Sequence, residues 1–139
     1  MTTTAAEMTF HVESHRVDAH SGISRCKNAE IALDTDTAGN AGAFNPAELL
    51  LAALSACIIK GIERVAPMLN FDLRGVDVLV NGVRQDVPPR MRSISYEIIV
   101  DTDEPEQRLN LLHENVKKYG TVLNTIAPGT VLVGILRRR

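Results

Sequence analysis

Apolar and polar residues alternate in several short segments of the chain, which is the pattern of strands with one buried face. The alternation predicts three strands early in the chain, at 8–13, 23–25 and 31–33. It predicts two longer strands at 76–81 and 94–101, joined by a connection at 82–89 as an antiparallel hairpin. A last apolar strand is predicted at 130–136, and a loop rich in glycine, alanine and polar residues at 35–44.

The first predicted helix has a clear start signal in the sequence. Asn45 can cap the helix, and Glu48 can close a capping box with it. Pro46 suits the first helical position because its missing N–H would have no partner there. We expect this helix to end at about Ala66, ahead of Pro67.

The same helix is apolar on every face between residues 49 and 59, where only Ser55 and Cys57 interrupt leucine, alanine and isoleucine. A helix that is apolar all round is a buried one. A single small sheet can cover only one side of it. We therefore expect something else, most simply a second subunit, to cover the remainder.

A second helix is predicted to begin near Pro105. It has acidic residues at its start and Lys117 and Lys118 at its end, which suits the helix dipole, and Gly120 follows as its C′ residue. The element order is then β-β-β-α-β-β-α-β. This order predicts a single α+β domain over residues 1–139, with a mainly antiparallel sheet and two principal helices.

Charge and hydropathy exclude several classes of function. A net charge of −2 without a basic stripe does not favour nucleic-acid binding, and the arginines at 137–139 are expected to form a solvated tail. The longest apolar stretch is too short to span a membrane, and residues 1–10 carry no targeting signal. We expect a cytoplasmic protein whose two cysteines are free thiols.

The sequence predicts no cofactor and no metal. The four histidines have no metal-ligand spacing among themselves or with the two cysteines. There is no phosphate loop and no dinucleotide fingerprint.

Cys57 lies in the apolar helix and allows two interpretations. A cysteine surrounded by hydrocarbon is usually an inert core residue. A reactive cysteine needs a neighbouring cation to favour its thiolate. Lys60 is one turn away on the same face, about 4.5 Å along the axis, and Arg64 is about 10 Å away. An arginine from elsewhere in the fold would serve better, because its fork can hold a thiolate and a peroxide oxygen together.

The run NPAELLLAALSAC, from Asn45 to Cys57, resembles the signature of the OsmC/Ohr family, the osmotically inducible protein C and organic hydroperoxide resistance proteins. The signature consists of Asn-Pro, an acidic residue, a helix rich in leucine and alanine, and a cysteine. The later elements follow in the family's order, so the resemblance covers nearly the whole chain. It implies an OsmC-like intertwined homodimer with sites at the subunit interface, and a peroxidatic thiol at Cys57 that attacks organic hydroperoxides.

The chain departs from the family pattern at three places. Gly120 stands where the family has its resolving cysteine. Ala47 replaces the family's glutamate, although Glu48 fits the next family position. The family's N-terminal arginine corresponds best to Arg25, with Arg16 as the second candidate.

The resemblance therefore implies a stress-response protein that reduces organic hydroperoxides with Cys57, helped by Arg25, Lys60 and Glu48, and with an external thiol as reductant. The alternative is a non-catalytic protein of the same fold that binds a small hydrophobic ligand at the dimer interface. A third interpretation is an inert thiol in a structural relic. An accessible, acidic thiol distinguishes the first from the others.

Overall fold

The structure is a computed structural model that describes residues 7–139. Part of the segment 1–10, in which the sequence shows no targeting signal, lies outside the described residues. The chain divides into two compact units, Met1–Glu48 and Leu49–Arg139. The assignment of one domain to residues 1–139 stays a prediction. Within 7–139, none of the helices combines the length and the apolar character needed to cross a membrane.

The first unit contains a three-stranded antiparallel sheet in the order β1-β2-β3. Its strands are β1 (Glu13–Arg16), β2 (Ser21–Cys26) and β3 (Ala29–Asp34). Lys27, with a φ of 57°, makes the tight turn between β2 and β3.

The first strand lies later in the chain than predicted: the sequence placed it at 8–13, and the observed strand begins at Glu13 and ends at Arg16. Glu13 pairs with Arg25, near the end of β2, so its predecessors have almost no partner strand to pair with. Met8 and Phe10 are consequently 78% and 79% exposed. Apolar and polar residues do alternate at 8–12, but the described part of this unit offers no strand with which the segment could pair.

Helix α1 (Pro46–Met68) begins where the sequence predicts. The capping box forms in both directions: the Asn45 N–H donates to Glu48 Oε1 at 2.9 Å, and the Glu48 N–H donates to Asn45 Oδ1 at 2.8 Å. The helix continues two residues beyond the predicted end, with Pro67 inside its last turn. Its buried side chains form one stripe at helical spacing: Leu54, Ile58, Ile62, Val65 and Ala66.

The second unit contains the sheet β4-β5-β6, in which β4 (Gly75–Asp86) pairs antiparallel with β5 (Pro89–Asp101). Strand β6 (Val131–Arg138) pairs parallel with β5. The predicted connection at 82–89 is wrong in extent, because only residues 87 and 88 separate the strands. Gly82 is not a turn residue: it pairs with Ile94 within the sheet, and the end of the Met91 side chain occupies the space that a Cβ at Gly82 would fill.

Between β5 and β6 the chain forms α2 (Glu106–Tyr119) and a short helix α3 (Thr121–Ile126), which the sequence did not predict. Gly120 joins them in an extended conformation, with φ −76° and ψ 111°, so it is not the left-handed C′ residue that was expected. The α+β class with two principal helices is confirmed.

Among residues 7–139, all the buried apolar side chains belong to the second unit. Ten of them are the largest and most completely buried: Leu54, Ile58, Ile62, Val65, Ile94, Ile98, Val100, Leu109, Leu112 and Val116. They come from α1, α2 and one face of β5. Residues 7–48 contribute none of this core.

The three C-terminal arginines are not the solvated tail that the sequence predicted. Arg137 forms an ion pair with Glu97, on the neighbouring strand. Arg138 donates to the Glu104 carbonyl oxygen at 2.7 Å. Arg139 likewise pairs with two aspartates of the second unit. The end of β6 is therefore tied down by charge-assisted hydrogen bonds.

Candidate functional site

Cys57 is a free, half-buried thiol on α1. Its neighbours Leu54 and Ile58 are fully buried in the core of the second unit, whereas Ala53 and Lys60 are exposed. The sulfur thus lies at the border between the packed face and the open face of the helix. Such a position differs from the hydrocarbon surroundings of an inert core cysteine.

The joint between α2 and α3 packs directly on this thiol. A Cβ built on Gly120 would lie 3.3 Å from Cys57 Sγ, 3.1 Å from the Val116 carbonyl oxygen and 3.2 Å from Leu123 Cβ. The absence of a side chain at Gly120 therefore lets the backbone lie close to Cys57, because any side chain there would crowd these three atoms. The position at which the family resemblance implies a second cysteine is in contact with Cys57.

The open side of the sulfur is towards Ala53, and the side towards Gly61 is closed. A Cβ on Gly61 would lie 3.6 Å from Val116 Cγ1, so α2 fills the space that small residues leave one turn after the cysteine. Ala53, one turn before the cysteine, is exposed and small, so the described residues leave this side of the helix open.

Two cations follow Cys57 on its own side of the helix. Lys60 and Arg64 are both exposed, and lie about 4.5 Å and 10.5 Å further along the helix axis. The ion pairs within residues 49–139 involve other cations: Arg74, Arg84, Arg108, Lys117, Arg137 and Arg139. Neither Lys60 nor Arg64 is paired with a carboxylate within residues 49–139, and a role for Lys60 beside the thiol stays a prediction.

Glu48 caps the N-terminus of α1. Its carboxylate accepts a hydrogen bond from the Asn45 N–H, and it precedes Cys57 by nine residues. A role for Glu48 in chemistry stays a prediction, and the structure gives the residue a capping role.

The two candidate arginines of the first unit differ in their surroundings. Arg25 Nε lies 2.7 Å from Glu30 Oε2, its partner across the β2–β3 hairpin. Arg16, at the end of β1, makes no ion pair within residues 7–48. It lines an open hollow of about 350 Å³ together with residues that include His15 and Leu33. Arg16 is thus unpaired among residues 7–48 and Arg25 is paired, and the assignment of Arg25 to the site stays a prediction.

A buried polar pair in the second unit was missed by the sequence reasoning. Tyr96 Oη and His113 Nε2 are 2.8 Å apart, and the rings meet edge to face with centroids 5.7 Å apart. Gly134 lies opposite Tyr96 in the sheet and leaves the space that the tyrosine ring occupies, because a Cβ at Gly134 would lie 2.0 Å from that ring. Burial lowers the pKa of His113 and raises that of Tyr96, so both are neutral near pH 7.

Metal chemistry finds no support in the geometry. Across residues 7–139, histidine, cysteine and acidic side chains do not gather in any group of three or more that could hold a metal ion.

The sequence model of the OsmC-like protein family matches residues 39–133, which include α1, Cys57 and Gly120. The chain therefore belongs to the OsmC-like family. Comparison of the sequence with curated proteins gives no match.

Solved structures share the fold at low sequence identity. An OsmC-like protein from Mycoplasma pneumoniae is 17% identical, with a TM-score of 0.87 over 96% of this chain and 99% of its own. An organic hydroperoxide resistance protein OsmC from Legionella pneumophila is 18% identical, with a TM-score of 0.70 over 95% and 98%. The organic hydroperoxide resistance protein OhrB of Bacillus subtilis is 17% identical, with a TM-score of 0.66 over 94% and 98%.

Proposed function

We propose that this chain is a cytoplasmic stress-response protein that reduces organic hydroperoxides through Cys57, with an external thiol as reductant. The observation that carries the proposal is the place of the sulfur. Cys57 ends the family signature and lies at the edge of the packed face of α1, open towards Ala53 and beside Lys60. The structural neighbours from Legionella pneumophila and Bacillus subtilis bear the name organic hydroperoxide resistance protein, which agrees with this chemistry.

The reaction follows from thiol chemistry. The Cys57 thiolate attacks one peroxide oxygen, the O–O bond breaks, and the alkoxide leaves as the alcohol after taking a proton. The product is a sulfenic acid on Cys57. Gly120 offers no second thiol, so one external thiol forms a mixed disulfide and releases water. A second external thiol then releases Cys57 and leaves as part of a disulfide.

We also propose that a second copy of the chain completes the molecule. Residues 7–48 have no buried apolar side chain of their own, which a stable unit of that size requires. The face of the β4-β5-β6 sheet opposite the core exposes large apolar residues: Leu79, Val83, Val131, Val133 and Ile135. Apolar surface of this extent is typical of an interface. Light scattering should give about twice the 15.2 kDa chain mass, and a folded monomer would contradict the dimer.

The test of the peroxidase is consumption of an organic hydroperoxide such as cumene hydroperoxide with several thiols. Wild type and Cys26→Ser should consume peroxide, and Cys57→Ser should not, because only Cys57 is the nucleophile. The Cys26→Ser variant is the matched control, since Cys26 is also a half-buried free thiol. Equal consumption by wild type and Cys57→Ser would refute the proposal.

One observation favours a second candidate, the binding of a small hydrophobic ligand at the dimer interface. The open face of α1 before Cys57 is apolar, with exposed Leu50, Ala53 and Ala56. A ligand held there would not need the thiol. If Cys57→Ser and wild type bind an apolar fluorescent probe equally and neither consumes peroxide, this candidate replaces the first.

A further inference from the structure

Helix α2 packs against α1 in a single antiparallel register. Three contacts along the two helices share it: Arg108 with the Leu69 carbonyl oxygen, Val116 with Gly61, and Gly120 with Cys57. On both helices, eight residues separate the first two contacts and four separate the last two. A slide of α2 by one residue, about 1.5 Å, would therefore displace all three contacts, including the one with the sulfur.

Most of the buried stripe of α2 is apolar. Its four buried side chains are Leu109, Leu112, His113 and Val116, and His113 is the polar member. Apolar contacts are non-directional, whereas a hydrogen bond weakens steeply with distance and angle. A single polar residue in an apolar helix interface can fix the register, as it does in coiled coils. His113 is in the right place for this role.

Tyr96 gives His113 a fixed partner in the sheet. The tyrosine ring occupies the space that a Cβ at Gly134 would fill on the neighbouring strand, so it cannot shift without leaving that gap. Its Oη lies 2.8 Å from His113 Nε2, and the two rings are nearly perpendicular, at 87°. The hydrogen bond thus connects α2 to one point of β5.

The joint between α2 and α3 moves with the end of α2. Gly120 follows His113 by seven residues, which is two turns along the same face of the helix. The Asn124 backbone N–H donates to the Gly120 carbonyl oxygen at 2.9 Å, and its side-chain amide donates to the Lys118 carbonyl oxygen at 3.2 Å. These two bonds hold the joint in shape, so a shift of α2 reaches the sulfur.

We propose that Tyr96 and His113 are positioning residues for Cys57. Their hydrogen bond sets the register of α2 and so holds Gly120 against the sulfur, where the joint forms the inner wall of the space in which the thiol reacts. The inference rests on the proposed function, because this wall matters only if Cys57 meets a substrate. It uses contacts within one chain and does not depend on which surfaces a second copy covers.

The test measures how firmly the joint is held at the sulfur. Gly120→Cys is made in a Cys26→Ser background and equilibrated with reduced and oxidised glutathione. Two protein thiols and one oxidised glutathione give the disulfide between positions 57 and 120 and two reduced glutathiones. Mass spectrometry gives the equilibrium constant of this exchange, which falls if the joint leaves the sulfur.

We expect Tyr96→Phe and His113→Leu each to lower this constant about five-fold or more, the low end of what the loss of one buried hydrogen bond gives. His113→Gln should restore it, because the amide can replace Nε2 as donor or acceptor. Ile98→Val is the matched control. Ile98 is fully buried on the same face of β5, and its truncation destabilises the unit without removing a hydrogen bond, so the constant should stay within about two-fold.

The same substitutions are compared with Gly120 intact. Tyr96→Phe should lower kcat/KM for cumene hydroperoxide about five-fold, and Ile98→Val should not. If Gly120→Cys does not fold, hydrogen exchange of residues 117–122 replaces the disulfide, and Tyr96→Phe should speed it more than Ile98→Val does.

Equal effects of Tyr96→Phe and Ile98→Val on the disulfide, or on the exchange that replaces it, would overturn the inference. A lower disulfide constant with unchanged peroxide consumption would overturn it too, because the joint would then not position the reaction. A lower constant in a chain whose wild type consumes no peroxide refutes the proposed function and supports the fixed register.

Discussion

The hydrogen bond between Tyr96 and His113 allows a sharp test of how the second unit is held together. Tyr96→Phe removes only the hydroxyl and keeps the ring, so the edge-to-face contact at 5.7 Å is retained. His113 Nε2 then loses a partner at 2.8 Å. Tyr96 is 5% exposed and His113 9% exposed, so water cannot easily replace the hydroxyl. We expect the free energy of unfolding to fall by about 1–3 kcal/mol, the usual cost of a buried polar atom without a partner.

Urea denaturation near pH 7.5 measures this loss. With a slope of about 2 kcal/mol per molar urea, a loss of about 2 kcal/mol lowers the midpoint by about 1 M. Tyr119→Phe is the matched control, because Tyr119 is 49% exposed and its substitution should change stability by less than about 0.5 kcal/mol. If the two variants lose the same stability, the buried hydrogen bond does not contribute as argued.

The remaining predictions concern pH, the thiol and the two arginines. Burial lowers the pKa of His113 below 6.5, so as the pH falls the unfolded chain takes up a proton at this histidine before the folded chain does. The free energy of unfolding should therefore decrease below about pH 6.5, by at most about 1.4 kcal/mol per pH unit. Urea series at several pH values should show a flatter profile for His113→Gln, and an identical one would contradict the reasoning. Gly120→Cys should form an internal disulfide with Cys57 after hydroperoxide treatment, because a Cβ there lies 3.3 Å from the sulfur. Peptide mass mapping checks this, and sulfinic acid alone would count against it. Arg16→Met should slow peroxide consumption about ten-fold or more, and more than Arg25→Met, because Glu30 already pairs with Arg25. The reverse order would support Arg25, the first candidate that the resemblance gives.

The elements with local signals could be predicted from the sequence. Asn45 and Glu48 are three residues apart and form the capping box without help from the rest of the fold. The alternation along β4 and β5 likewise depends only on which face of the sheet is buried. Signals of this kind lie within one segment of the chain.

The features that could not be predicted depend on contacts between distant segments. Gly82 has the sequence character of a turn residue, and only its pairing with Ile94 reveals it as a strand residue. Gly134 likewise interrupts an apolar strand for no local reason, because it accommodates the ring of Tyr96. The segment 8–12 has the pattern of a strand and lacks a partner within its unit.

The candidate site could be predicted in part. Cys57 was found through its position at the end of the family signature, not through its chemistry alone. The ion pair of Arg25 with Glu30 depends on the hairpin register, in which the two residues face each other. That register could have been inferred, since the two residues flank a tight turn and have opposite charges.

The parallel pairing of β5 with β6 has a consequence for how fast the second unit folds. Ser93 pairs with Val131, so two strands that are far apart in sequence must meet across the two helices between them. Contacts so distant in sequence form slowly, because the loop between them must first be closed. Until β6 pairs, one edge of β5 has unpaired backbone groups and Leu136 is missing from the core. We therefore expect this pairing to limit the folding rate of the second unit, and the open edge of β5 to be its site of aggregation while it folds.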